Sequence, residues 1–125
     1  MNIFISNSSK EPIYEQIKKQ IKQSIYRGEV QEGDLLPSIR QLAKDLQISV
    51  ITTKRAYEDL EREGYITSVV GKGSFIAGQN MDFIREKRLQ LIEERLTEIV
   101  GECRELDIGI SQLIEIIELL YKEER

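Results

Sequence analysis

From Ser38 to Ile76 the chain reads SIRQLAKDLQISVITTKRAYEDLEREGYITSVVGKGSFI. Two serines in this stretch, Ser38 and Ser49, each stand directly before a run of apolar residues with helical spacing, and serine is a preferred helix N-cap residue. Gln41 follows Ser38 at the spacing of a capping box. The two apolar stripes are Ile39, Leu42, Ala43 and Leu46, then Thr53, Ala56, Tyr57 and Leu60. The sequence therefore predicts two helices joined by a tight connection at Gln47-Ile48.

The spacing changes from helical to extended after Gly64, a residue type that often ends a helix. Residues 65–70 are rich in β-branched side chains, and residues 74–77 form a second short extended run. Gly71-Lys72-Gly73 lies between them, and glycine readily adopts the positive φ of a hairpin tip. Two helices joined by a tight turn and followed by a hairpin with a basic tip are typical of a winged helix-turn-helix.

Another helix is predicted before this stretch, with Ser9 as its cap, Pro12 in its first turn and Gly28 just past its end. Its apolar face repeats every four residues, at Ile13, Ile17, Ile21 and Ile25. We expect the lysines of this helix to lie on a solvated face; they are Lys18, Lys19 and Lys22. Leu35-Leu36, in the loop that follows, is a candidate short extended segment.

The pattern changes again beyond Gly78-Gln79-Asn80, where a long helix is predicted. Its apolar residues alternate by three and four positions, as in the seam of a coiled coil, at Leu89, Ile92, Leu96, Ile99, Cys103 and Leu106. Gly109 interrupts the helix, and Ser111 can cap a final short one. We therefore predict a mainly α protein with a small β-hairpin (α+β), in which residues 1–78 form a winged helix-turn-helix and residues 79–125 form a two-helix tail.

The composition excludes several classes of protein. Of the 125 residues, 40% are hydrophobic and 32% are charged, which is typical of a globular chain. His is absent and Cys103 is the single cysteine, which excludes imidazole metal sites, thiolate clusters and an intramolecular disulfide. No apolar run reaches the roughly 20 residues of a membrane-spanning helix, and the N-terminus lacks a secretory signal. We therefore expect a cytoplasmic protein without a metal or a cofactor.

Charge divides at the same boundary. Residues 1–78 carry 11 basic and 10 acidic side chains, whereas residues 79–125 carry 7 and 12. The acidity of the chain, whose net charge is −4, therefore belongs to the tail and leaves the first part free to meet an anion. The carboxylate pairs Glu93-Glu94 and Glu123-Glu124 fall on predicted solvated faces with no activated nucleophile nearby, so we do not expect an enzyme.

Four strings between Tyr14 and Ile76 carry a resemblance to a known family: YEQIKKQI, GDLLPSIRQLAKDL, TTKRAYEDLEREGYI and GKGSF. In this order and spacing they resemble the DNA-binding domain of GntR-type bacterial transcription regulators. The short tail without His is similar to that of the YtrA-type branch of the family, in which two helices serve for dimerisation. The resemblance implies that the chain binds operator DNA.

Duplex DNA accepts the N-terminal end of a recognition helix in its major groove. The exposed or edge positions at that end of the predicted helix are Ser49, Val50, Ile51, Thr52 and Lys54. The apolar side chains of Val50 and Ile51 can meet thymine methyl groups, the alternative being that they pack beneath the first helix. Ser38 is expected to cap its helix and can leave backbone N–H groups facing a phosphate.

The resemblance concerns three cations of the expected interface. Arg40 matches an arginine that contacts DNA in family members, and Lys54 matches a basic position on the recognition helix of many members. Lys72 matches the wing tip that reaches a phosphate or the minor groove, where Gly71 and Gly73 permit the turn. A solvated surface role is the alternative for Arg40. Many members have Arg-Thr where this chain has Val50-Ile51, so the half-site sequence of the wider family is not carried over.

Neither tail helix can bury its apolar surface alone, so the seam predicts a homodimer on a palindromic double-stranded operator. The alternative is that the tail folds back on its own first domain. The resemblance suggests repression of a neighbouring operon, often one for an ABC transporter, and a small-molecule effector is left open. An alternative function, from another class, is a protein-interaction module. In that hypothesis the winged helix is a scaffold and the acidic tail docks a protein partner.

Overall fold

The computed structural model describes residues 1–123, which form five helices and one hairpin. The elements in chain order are α1 (Ile13–Tyr26), α2 (Ile39–Leu46), α3 (Val50–Arg62), β1 (Ile66–Val69), β2 (Gly73–Ile76), α4 (Met81–Glu105) and α5 (Ile110–Glu123). The predicted fold class is confirmed. The chain divides into two compact units, the first covering Met1–Lys87 and the second beginning at Arg88.

The first unit has one hydrophobic core to which all its elements contribute. Ile17 and Ile21 of α1 are completely buried, as is Leu60 of α3. The hairpin adds Ile66 and Ile76, which pair with each other in the antiparallel register of β1 and β2. Because the hairpin and the helices share this core, the hairpin and α3 are held on one scaffold.

The serine caps predicted for α2 and α3 are confirmed. Ser38 Oγ accepts a hydrogen bond from the backbone N–H of Gln41 at 3.1 Å, and Ser49 Oγ accepts one from that of Thr52 at 3.1 Å. The capping box is only half formed, because the Gln41 side chain donates forward to Asp45 instead. The tight connection is also present: Gln47 adopts a left-handed φ of 57°, which ends α2 and starts the turn into α3.

The start of α1 differs from the prediction. Pro12 occupies the N-cap position, and no side chain caps the helix. Ser9 Oγ instead accepts a hydrogen bond from the backbone N–H of Glu11, within the turn before the helix. Proline tolerates this position because it has no N–H to leave unsatisfied.

The hairpin is completed by the predicted extended segment at Leu35-Leu36. Leu35 forms a β-bridge with Phe75, and the backbone N–H of Leu36 donates to the carbonyl of Ser74 at 2.9 Å. The loop between α1 and α2 thus covers the outer edge of β2. Because the loop bonds to the backbone groups on this edge of β2, it fixes the base of the hairpin.

Sequence reasoning missed how the N-terminal segment is held. The side-chain amide of Gln20 donates to the carbonyl of Phe4 and accepts from its N–H, and Gln16 makes the same pair of bonds with Ser6. The two glutamines lie one helical turn apart on α1, so they bond to alternate residues of an extended segment. These bonds place residues 4–6 along α1.

Lys18 does not lie on a solvated face, contrary to prediction. Its side chain is only 10% exposed, and its Nζ lies 3.2 Å from a carboxylate oxygen of Asp59 and 2.8 Å from one of Glu63. Lys22 also pairs with Glu63, at 2.8 Å. These ion pairs join α1 to the C-terminal half of α3, because the two helices pack side by side with complementary charges.

We expect these ion pairs to make stability depend on pH. Hydrogen bonds from Arg62 and Lys18 lower the pKa of Asp59 below its ordinary 3.8, and those from Lys18 and Lys22 lower the pKa of Glu63 below its ordinary 4.5. A lowered carboxylate pKa adds stability above the ordinary value, and this stability is lost as the pH falls through the folded-state pKa. Lys18→Met should therefore lower the free energy of unfolding at pH 7, and the difference from wild type should shrink towards pH 3.

Urea denaturation at several pH values measures this difference. Lys19→Met is the matched control, because the Lys19 side chain is 61% exposed and its one ion pair among residues 1–123 is with Glu11. A deficit in Lys18→Met that stays constant from pH 7 to pH 3 would show that the loss comes from packing of the lysine stem and not from its charge.

The second unit contains most of α4 and all of α5, joined by a tight turn. Asp107 adopts a left-handed φ of 56°, and the N–H of Ile108 donates to the carbonyl of Cys103 at 2.8 Å. Leu106 lies in this turn, just beyond the end of α4. Ser111 is not the cap of α5, because the helix already includes Ile110 and the N–H of Leu113 donates to the carbonyl of Gly109.

Candidate nucleic-acid interface

The exposed face of α3 begins with two apolar residues. Ile51 is 81% exposed and Val50 is 47% exposed, so the alternative that both pack beneath α1 is wrong. The opposite face of α3 carries the predicted buried stripe of Thr53, Ala56, Tyr57 and Leu60. Val50 and Ile51 are therefore exposed at the surface of the first unit and available to a binding partner.

The hydroxyl groups at this end of α3 form hydrogen bonds with each other and with the helix backbone. Ser49 Oγ accepts from the N–H of Thr52 and donates its own proton to Thr52 Oγ1 at 2.8 Å. Thr52 is half-buried, at the edge of the exposed face as predicted. The cap satisfies one N–H and leaves the helix N-terminus, with its partial positive charge, at the surface.

The N-terminus of α2 is fixed by a contact that sequence reasoning missed. Tyr57, buried in α3, donates its hydroxyl hydrogen to the carbonyl of Pro37 at 2.7 Å. Burial raises the pKa of Tyr57 well above its ordinary value, so the hydroxyl stays a neutral donor. The bond ties α3 to the residue before Ser38 and thereby holds the start of α2, where Arg40 is exposed.

The wing ends in an exposed tip. The N–H of Lys72 donates to the carbonyl of Val69 at 3.0 Å and closes the turn, while Gly71 and Gly73 both have positive φ, at 79° and 107°. The apolar Val70 is fully accessible there, and Lys72 is exposed. The two glycines thus have the structural role that the sequence predicts for them.

Some cations of the first unit form ion pairs and others do not. Lys18, Lys19, Lys22 and Arg62 are each paired with a carboxylate. Within residues 1–123, no carboxylate lies within 4.0 Å of Arg40, Lys54 or Lys72. The predicted interface residues therefore keep their charge available for an external anion, although the chain as a whole is acidic.

The predicted seam residues of the tail are accessible in the single chain. Leu89, Ile92, Leu96 and Ile99 are between 41% and 48% exposed, Cys103 is half-buried and Leu106 is 71% exposed. Their spacing places the first five on one side of α4, while Leu106 lies in the turn. No residue of α4 or of the described α5 is buried, so these apolar side chains keep solvent-accessible surface in the described chain.

Residues 1–123 contain no cluster of His, Cys, Asp or Glu arranged to hold a metal ion. In the same residues, no helix combines the length and the apolar character needed to cross a membrane.

Comparison with known proteins places the chain in a family. Residues 13–76 match the family described as bacterial regulatory proteins, gntR family. The HTH-type transcriptional repressor YtrA of Bacillus subtilis is 34% identical over 115 residues, which cover 92% of this chain and 88% of that protein.

Two solved structures are similar to this fold. YtrA of Sulfolobus acidocaldarius, a GntR-family transcription factor, is 36% identical with a TM-score of 0.59, and the match covers 77% of this chain and 97% of that one. The DNA-binding domain of AraR in complex with operator ORE1 is 27% identical with a TM-score of 0.52, over 62% of this chain and 94% of that one. The chain is therefore a member of the gntR family of bacterial regulatory proteins, a transcription regulator and not an enzyme.

Proposed function

We propose that the protein is a homodimeric repressor that binds a palindromic double-stranded DNA operator through residues 1–78 and dimerises through residues 79–125. The observation that carries the DNA-binding part is the N-terminal end of α3: an exposed apolar pair beside Lys54, a cation with no carboxylate partner in the described chain. The solved AraR domain, which is in complex with an operator, has a similar fold and supports operator binding by this part of the chain.

Within this proposal, α3 lies in the major groove. Val50 and Ile51 contact thymine methyl groups, and Lys54 contacts a base edge or a phosphate. Arg40, at the start of α2, has the fork of donors that holds a guanine edge or a phosphate in a bidentate way. Ser38 and Ser49 present capped helix N-termini to the backbone, with Thr52 beside Ser49, and the wing tip at residues 71–73 reaches the minor groove or its phosphates.

The tail supports the homodimer. Its apolar seam is 41–48% exposed at four positions on α4, and exposed apolar surface of this extent marks a protein interface. A second copy of the same chain offers the same seam, and a twofold axis would place two recognition helices on two half-sites. We further propose that the dimer is cytoplasmic and represses a neighbouring operon, for instance one for an ABC transporter, with any small-molecule effector bound at the dimer interface.

The proposal is tested by fluorescence anisotropy with the purified protein, its own promoter region and a scrambled duplex of equal length. We expect tight binding to the promoter, weaker binding to the scrambled duplex, and loss of affinity as salt is raised from about 50 to 200 mM. Equal weak binding to both duplexes would contradict an operator in that promoter. No binding at low salt would favour the other class of function, a scaffold whose acidic tail docks a protein partner.

A pair of variants at Ser49 separates stability from DNA binding. Ser49→Ala removes the hydrogen bond to the N–H of Thr52 and should lower the free energy of unfolding by about 1 kcal/mol. Ser49→Asp retains the cap, so it should keep the stability, while its charge opposes a DNA phosphate. We expect urea denaturation to show the loss in Ser49→Ala alone, and anisotropy to show the larger loss of affinity in Ser49→Asp. Unchanged DNA affinity in Ser49→Asp would place this helix end away from the backbone.

A further inference from the structure

One cation of α3 is held by an aromatic ring. The guanidinium carbon of Arg55 lies 3.8 Å from the centroid of the Tyr14 ring, which belongs to the first turn of α1. Tyr14 is half-buried and packs against the core, whereas Arg55 is exposed. The ring is thus fixed by its own packing, and an arginine placed over it loses freedom without using its N–H donors.

These donors have no acceptor among residues 1–123. No carboxylate lies within 4.0 Å of Arg55, and no hydrogen bond from its guanidinium is present in that part of the chain. Arg62, two turns further along α3, is the contrasting case, because it donates to Asp59 at 2.6 Å. Arg55 therefore combines a fixed position with an unused charge, a combination that a solvated surface arginine lacks.

The position of Arg55 on α3 indicates what it meets. Arg55 follows Ile51 by one helical turn, so the two lie on the same side of the helix, away from the buried stripe. Its contact with Tyr14 places Arg55 on the flank that faces α1. When the N-terminal end of a recognition helix lies in the major groove, the phosphates run along its flanks.

We propose that Arg55, positioned by Tyr14, binds a backbone phosphate beside the major groove and contributes affinity without sequence specificity. This proposal rests on the DNA-binding function proposed above and adds a residue that the resemblance to the family does not supply. It also assigns Tyr14 a positioning role in binding, in addition to its place at the edge of the core.

The test is the salt dependence of binding. Replacing one phosphate-binding cation lowers the slope of log affinity against log salt concentration by about 1 and weakens binding to all sequences alike. Arg55→Gln should show both effects on the promoter and on the scrambled duplex, with a loss of roughly threefold to tenfold at physiological salt. Arg62→Gln, which removes a cation already paired with Asp59, is the matched control and should leave the slope unchanged.

Variants of Tyr14 test the positioning role. Tyr14→Phe keeps the ring and should bind like wild type. Tyr14→Leu keeps the charge of Arg55 but removes the ring, so it should weaken binding about twofold to fivefold while leaving the slope near the wild-type value. Circular dichroism and urea denaturation establish that each variant is folded. Equal binding by Tyr14→Leu and Tyr14→Phe would overturn the positioning role of Tyr14.

Two results with Arg55→Gln would contradict the proposed phosphate contact. An unchanged slope and affinity in Arg55→Gln would overturn it, and a loss confined to the promoter would show that Arg55 reads a base instead. The slope can be measured on the scrambled duplex alone, since a phosphate contact does not require the operator sequence. Failure of the proposed repressor function, seen as equal binding of wild type to both duplexes, is thus distinguishable from failure of the Arg55 contact.

Discussion

Leu96→Asp is expected to convert the proposed dimer into a monomer and to reduce operator affinity by about 100-fold or more, because two linked recognition helices bind a two-half-site operator far more tightly than one. Leu96 lies in the middle of the seam on α4 and is 41% exposed in the single chain. Dimerisation would bury this position, and an unpaired carboxylate there loses its hydration without gaining a partner. Light scattering measures the oligomeric state, and anisotropy measures the affinity.

The matched control is Gln90→Asp. Gln90 is exposed on α4, close to the side opposite the seam, so the substitution adds the same charge to the same helix outside the proposed interface. It should remain dimeric and bind the operator like wild type. Leu96→Asp should keep the helices of residues 13–62, because their core lies in the other unit. A stable Leu96→Asp dimer would contradict the proposal that the seam is the dimer interface.

The parts of the fold that the sequence predicts correctly depend on neighbours along the chain. The caps at Ser38 and Ser49 form because each hydroxyl bonds to an N–H three residues later. The buried stripe of α3 follows from helical periodicity alone. The same holds for the hairpin tip, whose glycines have the positive φ that the turn requires.

The contacts that the sequence does not predict join residues far apart in the chain. Lys18 and Asp59 are separated by 41 positions, and their ion pair exists because α1 and α3 pack side by side. A single sequence gives the spacing of Lys18 within its helix but not the helix that covers it, which is why a solvated face was the wrong prediction. The bond from Tyr57 to Pro37 is invisible for the same reason.

In the candidate interface, too, some features follow from neighbours along the chain and others depend on contacts between distant residues. Local pattern is sufficient to predict that Ile51 is exposed, because helical spacing places it opposite the stripe, whereas Val50 lies nearer the stripe and is 47% exposed. It is not sufficient to identify Arg55 as a positioned cation, since the ring beneath it belongs to α1. Nor does net charge reveal which cations lack partners, a property that depends on where the carboxylates of α1 and α3 fall after packing.

Arg40→Ala and Lys54→Ala are each expected to weaken operator binding by about 1–3 kcal/mol, or roughly 5-fold to 150-fold. Arg40 should show the larger effect, because its planar fork can make two parallel hydrogen bonds where Lys54 offers a point charge. Both residues are exposed and lie in the first unit, so neither variant should change the oligomeric state measured by light scattering. Anisotropy with the promoter and the scrambled duplex measures the loss.

The comparison between the two duplexes assigns each contact. A residue that reads a base loses affinity for the promoter and little for the scrambled duplex, whereas a phosphate contact loses affinity for both. Lys19→Ala is the control for a change of charge alone, because Lys19 is exposed but already paired with Glu11. Wild-type affinity in either variant would remove that residue from the interface. Equal losses in all three variants would mean that the basic side chains of residues 1–78 attract DNA without a docked recognition helix.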